Sequence, residues 1–226
     1  MTSASDRPAI SVVVPVYNAR DCLAELVDRL ARSLREAAFD AELILLDDAS
    51  TDGSYEELER IRSSAHPHLR IERNPENIGQ VATIVRGLGV ARGKVTVVMD
   101  CDLQDEPEKI PLLVRRLESA EADAVIVRYA NYTNGGLRFL LSRGHALARR
   151  LRGKRNNDPR LAAFRAFREP LRDHVLRSYV EGRLLRDMFH DAPWKIEYFD
   201  AKRVRRYSGR SSYSLWALLK LGLGRR

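Results

Sequence analysis

The chain has 226 residues, enough for one large domain with a substantial core and too few for two full-sized domains. Its two cysteines, Cys22 and Cys101, lie far apart without the spacing of metal ligands, which argues against a disulfide framework or zinc site and favours a reducing compartment. The net charge of +8 is unevenly distributed: residues 1–127 carry 15 Lys and Arg against 23 Asp and Glu, a net of −8, whereas residues 128–226 carry 24 against 8, a net of +16.

The basic second half has two interpretations. It favours a polyanionic partner such as nucleic acid, anionic lipid headgroups or a diphosphate. Alternatively, it is the solvated surface of an arginine-rich sequence. The polar N-terminus has no apolar signal core, and no run of about 18 apolar residues occurs in the sequence. We therefore expect no membrane-spanning helix.

The first half alternates strand and helix patterns. Short apolar runs predict strands at 10–14, 42–46, 69–72, 95–99 and 124–127. Apolar residues at helical spacing predict helices at 23–34, 81–88 and 110–117. This rhythm predicts an α/β fold with a mostly parallel, doubly wound sheet and helices on both faces, whose ligands bind at the carboxyl ends of the strands.

The second half is less regular. A Gly135-Gly136 turn opens a predicted helix at 137–151 with one basic face, followed by a strand at 163–167, a helix at 175–189 and a strand at 195–200. A basic loop and an apolar segment complete the chain. We predict a single catalytic domain over 1–226, with a nucleotide-binding half (1–127) and a basic acceptor-side half (128–226).

Polar residues follow the first two strands. The first strand runs into Pro15, Val16, Tyr17 and Asn18 without the glycine-rich turn of a dinucleotide site, which excludes a nicotinamide-dependent dehydrogenase. The second strand runs into the adjacent acids at 47 and 48, which suit hydrogen bonds to a nucleobase or ribose. The alternative is helix capping by the Ser and Asp residues at 50, 52 and 54.

Acidic residues follow the fourth strand. If the chain stays extended there, Asp100, Asp102 and Gln104 share one side, and their oxygens suit Mg²⁺ or Mn²⁺ with a diphosphate completing the coordination. The alternative is an acid-rich helix start around Pro107. It explains the acids at 105, 106 and 108 but neither Asp100 nor Asp102.

Together these segments resemble a known family. The motifs PVYN (15–18), DDAS (47–50), NIGQ (77–80) and DCDLQD (100–105) are similar to the successive signatures of family 2 glycosyltransferases. The sequence DLQD and the C-terminal motif RYSGRSSYSL (206–215) are most similar to the polyprenyl-phosphate branch, which includes dolichol-phosphate mannose synthases and bactoprenol glucosyltransferases. The resemblance implies a GT-A fold and a metal-dependent, inverting hexosyltransferase that uses a UDP- or GDP-sugar.

The resemblance also implies roles for individual residues. The donor would contact Pro15, Tyr17, Asn18, Asp47, Asp48, Asp100, Ser211 and Tyr213. The metal would be held by Asp100, Asp102 and Gln104. The catalytic residues would be Arg128 and Arg206, which face phosphates, and Asp158, which acts as a base or orients the acceptor. The second motif departs from the family at Ala49, where glycine is usual.

The C-terminal segment bears on the acceptor. Many relatives continue into transmembrane helices, whereas this sequence stops at Arg226 after an apolar stretch with a basic rim. We expect either a helix lying in the headgroup layer, peripheral on the cytoplasmic face of the membrane, or a helix packed on the domain itself. Two other functions stay open: a soluble glycosyltransferase with a polysaccharide, protein or metabolite acceptor, and a non-catalytic polyanion-binding module. No aromatic-rich signature supports nucleic acid as a partner, and the sequence leaves the oligomeric state open.

Overall fold

The computed structural model describes residues 7–64, 66, 68–130, 160–204 and 207, in which seven strands form one mixed sheet. The strands are β1 (Ile10–Val16), β2 (Ala41–Asp47), β3 (Arg70–Arg73), β4 (Val95–Val98), β5 (Ala124–Tyr129), β6 (Leu161–Arg168) and β7 (Ile196–Ala201). Their order is β3-β2-β1-β4-β6-β5-β7. Only β6 among them runs antiparallel to its neighbours, β4 and β5. The prediction of a mostly parallel sheet is confirmed.

Helices cover both faces of this sheet. They are α1 (Arg20–Glu36), α2 (Ser54–Ser64), α3 (Gln80–Val90), α4 (Ile110–Ser119), α5 (Glu169–Ser178) and α6 (Leu185–Phe189). One apolar core joins α1, α2 and α4 to the sheet, and a second joins α3, α5 and α6 to its other face. Strand residues alternate between the cores, as the period of a strand requires. None of the described helices is long and apolar enough to cross a membrane.

Helix α3 lies unusually close to the sheet. A Cβ atom added at Gly87 would lie 2.5 Å from Cγ1 of Val13 and 2.7 Å from Cδ1 of Leu46. Both contacts are below van der Waals distance, and both side chains are fully buried. The glycine therefore sets the position of α3, whose first turn reaches the carboxyl edge of the sheet.

The antiparallel strand β6 brings two distant segments to the same edge. Arg165 of β6 pairs with Val98 of β4 on one side and with Ile126 of β5 on the other. Asp100 and Arg128 each follow these partners by two residues. They therefore follow the carboxyl ends of β4 and β5 at the same edge of the sheet.

One helix prediction in the second half needs correction. The single helix predicted at 175–189 is wrong: α5 ends at Ser178, and α6 begins at Leu185. The connection contains Gly182 at a φ of +78°, a conformation that helices do not accept. The predicted helix at 137–151 lies outside the described residues. The predicted boundary at 127/128 falls inside β5, so both halves contribute to one sheet.

Candidate active site

Asp48 organises the loop that precedes α3. Its Oδ1 accepts hydrogen bonds from Nδ2 of Asn74 at 2.8 Å and from the amide of Ile78 at 2.9 Å, and its Oδ2 accepts one from the amide of Gly79 at 2.9 Å. The side chain is 3% exposed. A carboxylate has about four acceptor positions, so the protein uses most of them and one on Oδ2 is left for a ligand.

The adjacent Asp47 is fully buried and points to a different set of partners. Its Oδ2 accepts a hydrogen bond from the amide of Ser50 at 3.2 Å and lies 3.3 Å from Nε of Arg73, which stacks over the ring of Tyr55. Its Oδ1 has no hydrogen-bond partner among the described residues. The two acids thus avoid mutual repulsion because each has its own donors.

Residues after β2 cap the neighbouring helix α1. Oγ of Ser50 accepts the amide of Asn18 at 2.9 Å, Oγ of Ser54 accepts the amide of Ala19 at 2.9 Å, and Oδ2 of Asp52 accepts the amide of Arg20 at 3.1 Å. These amides belong to the unpaired donors of a helix start. Oδ1 of Asp52 also accepts the amide of Ser54, the first residue of α2, at 3.0 Å. The prediction that these residues cap the following helix is therefore confirmed at Asp52, and the same segment caps α1 as well.

The proposed nucleoside contacts of the first motif differ in accessibility. Pro15 is buried within β1, whereas the side chain of Tyr17 is exposed. Asn18 adopts a φ of +49°, and its Oδ1 accepts the amide of Thr51 at 2.9 Å. Ile78, which the sequence reasoning gave no role, exposes its side chain next to Asp48. Tyr17 and Ile78 are therefore exposed apolar side chains beside the loops that carry Asn18 and Asp48.

The acidic segment after β4 is a turn. The premise that residues 100–104 continue the strand is wrong, because β4 ends at Val98 and Leu103 adopts a φ of +60°. Leu103 is nevertheless buried, while Asp102 and Gln104 are half-buried. The amide of Gln104 donates to Oδ1 of Asp102 at 3.1 Å. A tight turn, not the period of a strand, separates the polar side chains from the buried ones.

Asp105 is a buried residue whose carboxylate holds this turn in place by hydrogen bonds. It is 2% exposed, and its carboxylate accepts hydrogen bonds from the amide of Asp100 at 3.0 Å and from the hydroxyl of Tyr129. Asp100 in turn accepts a hydrogen bond from Nε2 of Gln80 at 2.6 Å. Burial, followed by the charges of Asp105 and Asp102, raises the pKa of Asp100 to about 7.

This concentration of negative charge fits a divalent cation. Among the described residues no group of three or more His, Cys, Asp or Glu side chains is arranged to hold a metal. Mg²⁺ and similar ions instead use one or two carboxylates together with substrate phosphates. Asp100 and Asp102 supply such a pair at the open edge of the sheet, and the side-chain amide of Gln104 is directed to the carbonyl oxygen of Val204 at 3.2 Å.

Residues near the end of the described chain contact this turn. The amide of Tyr207 donates to the carbonyl oxygen of Asp102 at 3.4 Å, and the guanidinium of Arg203 lies 5.6 Å from the ring centre of Tyr129. Val204 and Tyr207 therefore lie next to the turn that carries Asp102 and Gln104. Four predicted site residues lie outside the described residues: Asp158, Arg206, Ser211 and Tyr213.

Arg128 lies at the same edge but is paired within the protein. Its Nε and Nη2 donate to the two carboxylate oxygens of Asp200, each at 2.6 Å. The sequence reasoning assigned Arg128 to a phosphate and gave Asp200 no role. The NIGQ and DCDLQD motifs contain Gln80 and Asp105, but neither motif predicts a structural role for these two residues.

The order of the strands and the paired acids after β4 define the GT-A fold of nucleotide-diphospho-sugar transferases. Glucosyl-3-phosphoglycerate synthase from Mycobacterium tuberculosis, solved with Mn²⁺ and uridine-diphosphate-glucose, superposes with a TM-score of 0.66 at 23% identity, over 97% of this chain and 76% of that one. The family model of glycosyl transferase family 2 matches residues 11–176. The chain belongs to this family.

Two relatives align with most of the chain. Both are undecaprenyl-phosphate 4-deoxy-4-formamido-L-arabinose transferases: the one from Pectobacterium atrosepticum is 32% identical and the one from Proteus mirabilis is 29% identical, each over 213 residues and 94% of this chain. The chain spans 64% and 65% of the length of these relatives. The similarity thus covers about two thirds of each relative.

Proposed function

We propose that this chain transfers a sugar from a UDP- or GDP-sugar to a polyprenyl phosphate, with inversion at the anomeric carbon, giving a lipid-linked monosaccharide. The observation that carries the proposal is the pair Asp100 and Asp102 on a turn at the carboxyl edge of a GT-A sheet. Similarity to undecaprenyl-phosphate transferases over 94% of the chain supports the acceptor class. We place the protein peripherally on the cytoplasmic face of a membrane.

The donor would bind across the carboxyl ends of β1, β2 and β4. Tyr17 and Ile78 offer the nucleoside apolar contacts, and Asp48 offers its remaining acceptor position. A Mg²⁺ or Mn²⁺ ion bound by Asp100 and Asp102 would neutralise the departing diphosphate. The turn itself is held in place by Gln80 and Asp105, so the carboxylates are oriented before the ligands arrive.

The acceptor chemistry suits a site without a strong general base. A phosphate monoester has a second pKa near 6 and is mostly ionised at pH 7, so it needs positioning more than deprotonation. A sugar hydroxyl, in contrast, normally requires a carboxylate to remove its proton. We assign Asp158 to orientation of the acceptor and expect Asp158→Asn to lower turnover by about tenfold to a hundredfold.

Incubation with radiolabelled UDP- and GDP-sugars, a short polyprenyl phosphate and Mn²⁺ tests this proposal. We expect label in the organic phase with one class of donor, as an inverted lipid-linked monosaccharide. If label never enters that phase, yet appears on a neutral hydroxyl acceptor in an Asp158-dependent reaction, a soluble acceptor replaces the polyprenyl phosphate.

A further inference from the structure

Strand β6 contains a bulge near the edge of the sheet that carries the proposed site. Its ladder with β5 pairs Ile126 with Arg165 and then Arg128 with Leu161. One residue of β5 therefore lies opposite three residues of β6, two more than a regular antiparallel ladder holds. We call residues 162–164 the β6 bulge. Backbone carbonyl groups in a bulge lack partners in the ladder, so they need donors from elsewhere.

The side chain of Arg165 supplies these donors. Its Nε donates to the carbonyl oxygen of Ala163 at 2.9 Å, and its Nη2 donates to that of Ala162 at 2.6 Å. Arg165 is 4% exposed, and its guanidinium carbon lies 4.9 Å from the ring centre of Phe189 on α6. Burial lowers the pKa of Arg165 to about 10, so the guanidinium is still charged at neutral pH and both hydrogen bonds are charge-assisted.

Burial of this guanidinium has an energetic cost. Its remaining nitrogen, Nη1, is buried and has no hydrogen-bond partner among the described residues. An apolar side chain packed on the ring of Phe189 would avoid the cost of such an unpaired donor. The cost favours a role of Arg165 in function over a role in packing alone.

The β6 bulge determines where the chain enters the sheet. In a regular ladder, residue 163 would face Arg128, and Arg160 would lie two residues, or about 7 Å, further beyond the edge. With the bulge, Leu161 faces Arg128, and the carbonyl oxygen of Arg160 accepts the amide of Tyr129 at 2.9 Å. The bulge therefore brings the start of β6 level with the end of β5.

Arg165 also lies beside the strand that leads to the metal turn. It pairs with Val98, the last residue of β4, and Asp100 follows Val98 by two residues. Val98 and Phe189 belong to the core that joins α3 to the sheet, and Asp100 accepts its hydrogen bond from Gln80 of α3. One buried side chain therefore lies between the β6 bulge and the strand that carries the proposed metal ligands.

We propose that Arg165 is a positioning residue that, by holding the β6 bulge, fixes the acceptor side of the site relative to the metal turn after β4. The inference rests on the proposed function and deepens it by naming the residue that aligns the two substrates. Asp158, which we assign to orientation of the acceptor, precedes β6 by three residues. Because a misplacement of about 1 Å can cost about a hundredfold in rate, we expect Arg165 to affect sugar transfer but not donor binding.

Two substitutions of Arg165 and two matched controls test this role. Arg165→Lys keeps the positive charge but replaces the planar, two-pronged donor by one ammonium group, and Arg165→Met removes both hydrogen bonds. The controls are Arg168→Lys and Arg168→Met. Arg168 also donates to two carbonyl oxygens, from Nε to Ala122 at 2.9 Å and from Nη2 to Leu117 at 3.2 Å. It lies on the same strand, but at the opposite edge of the sheet.

The kinetic test separates donor binding from transfer. We would measure binding of UDP and GDP in Mn²⁺ by calorimetry, and then sugar transfer to a short polyprenyl phosphate. We expect both Arg165 variants to bind nucleotide as wild type does and to lose about tenfold to a hundredfold in kcat for transfer. Both Arg168 variants should match wild type. Unchanged transfer by the Arg165 variants, a parallel loss of nucleotide binding, or an equal loss in the Arg168 variants overturns the proposal. If Arg165→Met does not fold, Arg165→Lys decides.

Hydrogen exchange tests the β6 bulge without any acceptor. The amide of Tyr129 is protected by its bond to Arg160, so we expect it to exchange faster in Arg165→Lys than in wild type or Arg168→Lys, measured by NMR. Equal protection in all three proteins shows that Arg165 does not hold the bulge and overturns the proposal. If exchange follows expectation while wild type transfers no sugar to polyprenyl phosphate, the proposed function fails. The same kinetic comparison with the neutral hydroxyl acceptor then decides the role of Arg165.

Discussion

Nε2 of Gln80 donates a hydrogen bond to Oδ1 of Asp100 at 2.6 Å, which joins the first turn of α3 to the turn after β4. The loop before α3 is held in turn by Asp48, through the amides of Ile78 and Gly79. The nucleoside side and the metal side of the proposed site are therefore one hydrogen-bonded unit.

This connection predicts the effect of Gln80→Leu. The substitution keeps the size of the side chain but removes the donor that orients Asp100. Partners that orient a metal ligand typically contribute tenfold to a hundredfold to metal affinity. We expect a loss of that size in Mn²⁺ affinity, measured by titration in the presence of UDP. Affinity equal to wild type would show that the hydrogen bond does not orient the ligand.

Asp102→Asn should abolish sugar transfer and the enhancement of nucleotide binding by metal. The amide can still accept the hydrogen bond from Gln104, so the turn and the fold should persist, which circular dichroism checks. Glu118→Gln is the matched control, because it makes the same charge change on an exposed position of α4. Turnover near wild type in Mn²⁺ would contradict the metal assignment.

Arg206→Ala should lower kcat/KM. We expect a loss that corresponds to about 2–4 kcal/mol of transition-state stabilisation, the scale of losing one strong charge-stabilising donor. The neighbouring Val204 and Tyr207 contact the turn that carries Asp102 and Gln104, which supports a role for this segment. Steady-state kinetics with the preferred donor provide the measurement. An unchanged kcat/KM would show that Arg206 has no role in catalysis and is a solvated surface residue.

Ala49→Gly should stabilise the protein. Ala49 adopts a φ of +55°, and a left-handed conformation costs an L-residue about 1–2 kcal/mol. Glycine avoids this cost but loses more chain entropy on folding, so we expect a net gain of about 0.5–1 kcal/mol in the free energy of unfolding by urea denaturation. Ala37→Gly, at a φ of −81°, is the control and should give no gain.

Stability should fall in mildly acidic solution because of His190. Burial, followed by the charge of Arg165, lowers the pKa of His190 below its ordinary 6.5. The unfolded chain then takes up a proton that the folded chain resists. The stabilisation is complete above pH 6.5 and is lost as the pH falls through the folded pKa. Between pH 7.5 and 5, the melting temperature of His190→Gln should depend less on pH than that of wild type. If both proteins show the same dependence, the loss of stability comes from other groups.

The sequence predicted β1, β4 and β5 closely because each is a nearly continuous apolar run that the two helical layers bury. The prediction of a single helix at 175–189 is wrong because apolar residues continue at helical spacing across the connection between α5 and α6. The helix ends where Tyr179 adopts an extended backbone, and Gly182 follows in a left-handed conformation. Tyrosine is not a helix-breaking residue, so the sequence pattern does not mark this end.

The missed site residues depend on contacts between distant segments. Asp105 is buried because Tyr129, 24 residues away, donates to it. Asp200 meets Arg128 across 72 residues because β5 and β7 pair in parallel register. Acid and base residues at such separations show no periodicity, so sequence patterns alone did not connect them.

The reversed direction of β6 has an evolutionary consequence. Because β5 ends and β6 begins at the ligand-binding edge, the chain between Ala130 and Arg160 leaves and rejoins the sheet at that edge. Lengthening such an excursion costs little free energy, since closure entropy grows only slowly with length. Insertions and exchanges there leave the register of the sheet and the donor-side turn untouched. A longer or shorter segment between Ala130 and Arg160 is therefore compatible with the same seven-stranded sheet.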